Sequence, residues 1–114
     1  QVKAKIKQKQ RAMITQGMMN AVGDATVVIT NPTHIAVAIK YEDGQNNAPK
    51  LVAKGIDHLA IRIKEKAKEN DVPIIENKPL ARMIYKEVEL DREIPQEMYQ
   101  AVAEILVAIY KMKK

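Results

Sequence analysis

Two apolar runs rich in β-branched residues are separated by only four residues, and this spacing constrains the fold more than any other feature of the chain. The first run covers residues 25–30 and the second covers 35–41. β-Branched residues favour strands, and the second run stays apolar on both faces until Lys40, which is typical of a central strand. Residues 31–34 begin with Asn followed by Pro, a favoured β-turn pair, so the sequence predicts a turn between two strands.

The remainder of the chain alternates strand and helix patterns. Prolines at two positions favour helix starts, and apolar residues recur at helical spacing after each of them. The alternation predicts an α/β fold in which a small central sheet of about four strands is packed by helices. The predicted elements after the second strand are a short strand over 51–53 that ends near Gly55, a strand over 72–76, and helices over 56–69, 79–88 and from 95 onwards.

The net charge of +5 comes entirely from the N-terminal segment. Residues 1–20 carry five of the nineteen basic residues and no acid, so the other fourteen basic residues balance the fourteen acids. We expect residues 1–24 to form a basic linker or helix and residues 25–114 to form the folded domain. No apolar run approaches the roughly 20 residues of a membrane span, and no signal peptide is visible. The missing initiator Met suggests a fragment of a longer protein.

An asparagine that precedes proline has a distinctive reactivity. The next backbone nitrogen cannot attack the side-chain amide here, because the proline nitrogen carries no hydrogen. The reverse attack, by the Asn31 side-chain nitrogen on its own carbonyl carbon, makes a succinimide, expels the Pro32 nitrogen and cuts the chain. A fixed turn that holds these atoms together could supply about 7–11 kcal/mol of the barrier. His34 could donate or orient the proton that the leaving nitrogen needs, and Thr33 could assist.

Other functions fit the composition less well. The basic segment suggests nucleic-acid binding, but the only aromatic residues are four tyrosines, and we expect those at 85, 99 and 110 to pack in the core. The chain has no Cys, and Asp57 and His58 with His34 do not have the spacing of metal ligands. A serine triad is excluded because the chain has no Ser. A docking domain with an inert turn remains an alternative.

The surroundings of the turn resemble the cleavage region of the FlhB/YscU family, the export-switch proteins of bacterial flagella and of type III injectisomes. The resemblance runs in order and without a large gap over about 25–110. The Lys54-Gly55 pair is more similar to the flagellar branch. The stretches that carry the resemblance are 27–41, 48–55, 61–65, 72–76, 79–85, 94–95 and 101–106.

The resemblance implies the cytoplasmic C-terminal domain of a bacterial inner-membrane protein in the flagellar export apparatus, with an injectisome homologue as the alternative. It implies self-cleavage between Asn31 and Pro32, with residues 31–34 as the site, in a single turnover rather than as an enzyme. It also implies a switch of export substrates from rod and hook to filament subunits. The implied partners are other membrane and cytoplasmic components of the apparatus, export substrates, a hook-length control protein and the chain's own cleaved fragment, which stays associated. The membrane is reached through a missing N-terminal transmembrane region, and no nucleic acid, metal or cofactor is expected.

Overall fold

The computed structural model describes residues 14–32, 34–42 and 48–112. Thr33 of the predicted site and the five basic residues of the N-terminal segment lie outside the described residues. The elements in chain order are α1 (14–23), β1 (Val27–Asn31), β2 (Ile35–Lys40), β3 (Lys50–Ile56), α2 (His58–Glu69), β4 (Ile74–Glu76), α3 (Lys78–Glu87), a short 3₁₀ helix (Gln96–Met98) and α4 (Tyr99–Met112).

The four strands form one mixed sheet in the order β3-β2-β1-β4. β1 and β2 are an antiparallel hairpin in which Val27 lies opposite Ile39 and Asn31 lies opposite Ile35. β3 pairs antiparallel with β2, and β4 pairs parallel with β1. β1 therefore lies inside the sheet with a partner on each side, and all five of its residues are buried. The predicted α/β fold around about four strands is confirmed.

Helices cover both faces of the sheet, and strand alternation divides the core between them. One face carries the larger side chains of β1 and β2 and packs against α3 and α4. The other face carries small residues of β2 and β3 and packs against α1 and α2. Small strand residues let a helix approach closely, so α2 lies tight against the strands that hold the turn. The small residues on the α2 face are Ala36, Ala38 and Ala53.

Long-range pairing sets several element bounds that differ from the prediction. The third strand was predicted over 51–53, ending near Gly55, and is seven residues long, because it pairs with β2 from Lys50 to Ile56. The helix predicted from 56 consequently begins at His58. The last helix is preceded by a 3₁₀ segment.

The expectation that Tyr99 and Tyr110 pack in the core is wrong, since they are 43% and 61% exposed.

Helix α1 is packed onto the domain. Met18, Met19 and Val22 are buried in the cluster formed with α2. The second half of the predicted 1–24 segment therefore contacts the sheet layer, and the boundary at residue 24 stays a prediction. Across 14–32, 34–42 and 48–112, no helix combines the length and hydropathy that a membrane span requires.

Candidate functional site

The predicted turn closes the β1–β2 hairpin at one end of the sheet. The His34 N–H donates to the Asn31 carbonyl oxygen at 3.0 Å, which is the hydrogen bond that joins the first and fourth residues of a β-turn. Asn31 is only 7% exposed, whereas Pro32 and His34 are exposed. The bond between Asn31 and Pro32 therefore joins a rigid, buried strand to a turn that water reaches.

The turn hydrogen bond falls on the carbonyl group that an asparagine cyclisation would attack. Negative charge would develop on the Asn31 carbonyl oxygen, and a donor already in place stabilises such charge without reorganisation. The His34 backbone N–H is that donor. The main-chain N–H of His34 therefore favours nucleophilic attack at the Asn31 carbonyl carbon.

The corner between β3 and α2 contacts the turn from outside the hairpin. The Asp57 N–H donates to the His34 carbonyl oxygen at 3.0 Å. The Asp57 carboxylate lies 3.9 Å from His34 Nδ1, and both side chains are about two-thirds exposed or more, so solvent screens this pair and its stabilising effect is small. The Lys64 ammonium donates to the Pro32 carbonyl oxygen at 2.8 Å.

Asp57 has a strained backbone. Its φ of 52° and ψ of −117° lie in a region that residues with a side chain rarely adopt. Such conformations cost about 1–3 kcal/mol and persist where the surrounding structure enforces them. The conformation directs the Asp57 N–H towards His34 while the chain turns from β3 into α2.

The start of α3 anchors β1 at the residue before Asn31. The Asn77 N–H donates to the Thr30 carbonyl oxygen at 2.9 Å, and Thr30 is buried. The Asn77 side chain in turn accepts from the Leu80 N–H and caps α3. The strand is thus anchored immediately before the turn.

The structure brings Asn31, Pro32 and His34 into one turn, as the sequence predicted. From the sequence, Asp57 with His34 was only a poor metal pair, whereas in the structure the Asp57 N–H donates to the His34 carbonyl oxygen and holds the turn. Lys64 was not identified, because it is one of several basic residues on the outer face of a helix and no local signal distinguishes it. Within the described ranges, no group of three or more His, Asp or Glu residues could hold a metal ion.

The four-stranded mixed sheet with helices on both faces matches solved domain structures from one family of bacterial proteins. The chain belongs to the FlhB HrpN YscU SpaS family, whose family model matches residues 1–109. It is 51% identical over 113 residues to the flagellar biosynthetic protein FlhB of Bacillus subtilis, covering 99% of this chain and 31% of that protein. The FlhB of Salmonella typhimurium is 45% identical over 113 residues, covering 99% of this chain and 30% of that protein. The chain therefore spans less than a third of the length of these relatives.

Solved structures extend the similarity to three dimensions. The cytoplasmic domain of FlhB from Shewanella putrefaciens superimposes with a TM-score of 0.82 at 38% identity, over 87% of this chain and 76% of that one. A mutated EscU C-terminal domain gives a TM-score of 0.77 at 32% identity, over 81% of this chain and 92% of that one. The solved EscU variants include a substitution of an asparagine and a substitution of the proline that follows it.

Proposed function

We propose that this chain is the cytoplasmic domain of a flagellar export protein of the bacterial inner membrane and that it cleaves itself once, between Asn31 and Pro32. The flagellar assignment is supported by the identity of 51% over 113 residues to a flagellar biosynthetic protein. The cleavage is supported by one observation above all. The Asn31 carbonyl group, at the end of a buried strand and next to a proline, already accepts the His34 N–H.

The reaction balances without a cofactor or an added reagent. Asn31 Nδ2 attacks the Asn31 carbonyl carbon, a new carbon–nitrogen bond closes the succinimide ring, and the bond to the Pro32 nitrogen breaks. Nδ2 loses one proton and the Pro32 nitrogen gains one. One water later opens the ring. The His34 N–H stabilises the oxygen on which charge develops, and we assign delivery of the proton to the His34 imidazole, which lies on the same exposed turn.

Thr33 keeps the assisting role that the sequence suggests, through its hydroxyl or its backbone N–H. It lies outside the described residues, so this assignment is carried by the sequence alone. Replacement by Val preserves the shape of the side chain and removes only the hydroxyl. A Thr33→Val variant that cleaves at the rate of the unchanged chain would assign any assistance to the backbone.

Gel electrophoresis and mass measurement of the freshly purified chain test the cleavage. We expect two bands under denaturing conditions, with masses for residues 1–31 and 32–114, and a single band for Asn31→Ala. Initially the first fragment should be lighter by one water than a hydrolysis product, because it carries the succinimide. Asn70→Ala is the matched control, since Asn70 is an exposed asparagine that does not precede proline. One intact wild-type band, unaffected by Asn31→Ala, would refute the proposal and favour a docking domain with an inert turn.

We further propose that cleavage takes part in switching export from rod and hook subunits to filament subunits. The proposed partners are other components of the apparatus, the exported subunits, a hook-length control protein and the cleaved fragment itself, which stays paired. The full-length protein carrying Asn31→Ala, in a flagellated bacterium, tests this. We expect export of hook subunits to continue and export of filament subunits to fall. Unchanged filament export in cells whose protein stays uncleaved would separate cleavage from the switch.

A further inference from the structure

We propose that Lys64 is a positioning residue for cleavage of the Asn31–Pro32 bond, an inference that rests on the proposed self-cleavage. Lys64 lies on α2, far from the hairpin in sequence, and its ammonium donates to the Pro32 carbonyl oxygen at 2.8 Å. Pro32 is the residue whose nitrogen leaves. Lys64 therefore holds the leaving residue itself through a side chain that does not belong to the turn.

The contact fixes the one backbone freedom that Pro32 retains. The proline ring holds φ near −65°, so the conformation of Pro32 is decided by ψ, which sets the direction of its carbonyl group. Pro32 is the second residue of the β-turn, and type I and type II turns differ in the ψ of this residue by about 150°. A bond to the Pro32 carbonyl oxygen consequently selects one arrangement of the turn and disfavours the other.

The helix that carries Lys64 is a rigid support. Its neighbour Ile63 is fully buried against the sheet, as is Ala67. At the start of the same helix, the Asp57 N–H donates to the His34 carbonyl oxygen at 3.0 Å. Helix α2 and the residue that precedes it thus contact the turn at both Pro32 and His34.

The charge on Lys64 strengthens the contact. Hydrogen bonds in which the donor is ionised are shorter and roughly twice as strong as neutral ones. The Lys64 residue is half-buried, whereas the carbonyl group that it contacts lies on the exposed turn, so the bond itself is open to solvent. Lys68 lies one turn further along α2 and is exposed, which makes it a control of the same residue type, charge and helix.

Cleavage of newly made protein tests the inference. The chain is produced by cell-free translation with a pulse of label, and the intact fraction is followed on denaturing gels. A misplacement of about 1 Å can slow a reaction about 100-fold, and we expect Lys64→Met to cleave about tenfold more slowly than the unchanged chain. Lys64→Arg keeps a charged donor and should recover most of the rate. Lys68→Met removes the same charge and should cleave at the unchanged rate.

Thermal unfolding separates positioning from a general loss of structure. We expect Lys64→Met and Lys68→Met, each carrying Asn31→Ala so that each unfolds as one chain, to retain a cooperative unfolding transition, so that loss of the fold does not account for slower cleavage. Equal cleavage rates of these two variants would overturn the inference and leave self-cleavage intact, whereas an uncleaved wild-type chain would overturn both. A Lys64→Arg variant as slow as Lys64→Met would assign Lys64 a structural role. If Lys64→Met fails to fold, Lys64→Gln takes its place, and cleavage of that variant at the unchanged rate would exclude a need for the ammonium.

Discussion

Replacement of Gly55 by Ala tests how tightly α2 is seated beside the hairpin. A Cβ at this position would lie 2.6 Å from Leu59 Cγ and 2.8 Å from Leu59 Cβ, closer than packed carbon atoms approach. Gly55 pairs with Ala36 in the sheet, and Leu59 is in the first turn of α2, so relief requires the helix and the strand to separate. Overpacking of this kind costs about 1–3 kcal/mol. Since 1 kcal/mol corresponds to about 4–8 °C in a domain of this size, we expect Tm to fall by about 10 °C.

The measurements are thermal and urea unfolding followed by far-UV circular dichroism, with all variants carrying Asn31→Ala so that each unfolds as one chain. Gly17→Ala is the control, because nothing lies within 4 Å of the added Cβ and Gly17 lies on the exposed side of α1. Alanine is favoured over glycine in a helix by about 1 kcal/mol, so this change should raise the free energy of unfolding. The same chemical change is thus expected to have opposite signs at the two positions. A Gly55→Ala variant as stable as its parent would refute the packing argument.

Three further predictions concern anchors of the fold and the cleaved state. Lys54→Met removes hydrogen bonds from the ammonium to the carbonyl oxygens of Tyr85 (3.1 Å) and Val88 (2.8 Å). We expect the free energy of unfolding, measured in urea, to fall by about 1.5–3 kcal/mol. An unchanged urea midpoint would show that these bonds make no net contribution to stability. Asn77→Ala removes the side-chain acceptor for the Leu80 N–H and should cost about 1 kcal/mol in the same assay, most of which Asn77→Asp should restore. The Tm of the fully cleaved chain should rise with protein concentration, because its unfolding releases two fragments, whereas the Tm of the uncleavable variant should not; a cleaved chain whose Tm ignores concentration would contradict the two-fragment account.

The hairpin could be predicted because its signals are local. The β-branched runs and the Asn-Pro pair lie within seventeen consecutive residues, 25–41, and each has a direct effect on backbone conformation. The extension of β3 to Ile56 could not be predicted in this way. It depends on pairing of Gly55 and Ile56 with residues of β2 some twenty positions away. The parallel pairing of β4 with β1 is likewise a property of the assembled sheet.

The site residues likewise divide into those with a local sequence signal and those that depend on long-range packing. Asn31 and His34 were identified because the Asn-Pro bond has a chemistry of its own and His34 is close by in sequence. Asp57 and Lys64 act through contacts that only the packing of α2 creates. Their residue types carry no information, since surface lysines and aspartates are common and most are solvated. The backbone strain at Asp57 marks the position clearly, but it is visible only in the structure.

The position of the cut limits what cleavage can change. β1 would be the last element of the first fragment, and it pairs with β2 and β4, which both belong to the second. α1, also in the first fragment, packs into the cluster that contains α2. Breaking the bond after Asn31 would not itself remove any of these contacts. The direct change would be confined to the turn, where Pro32 contacts Lys64 and His34 contacts Asp57, so we expect the surface that distinguishes a cleaved chain from an intact one to lie at this end of the sheet, beside the start of α2.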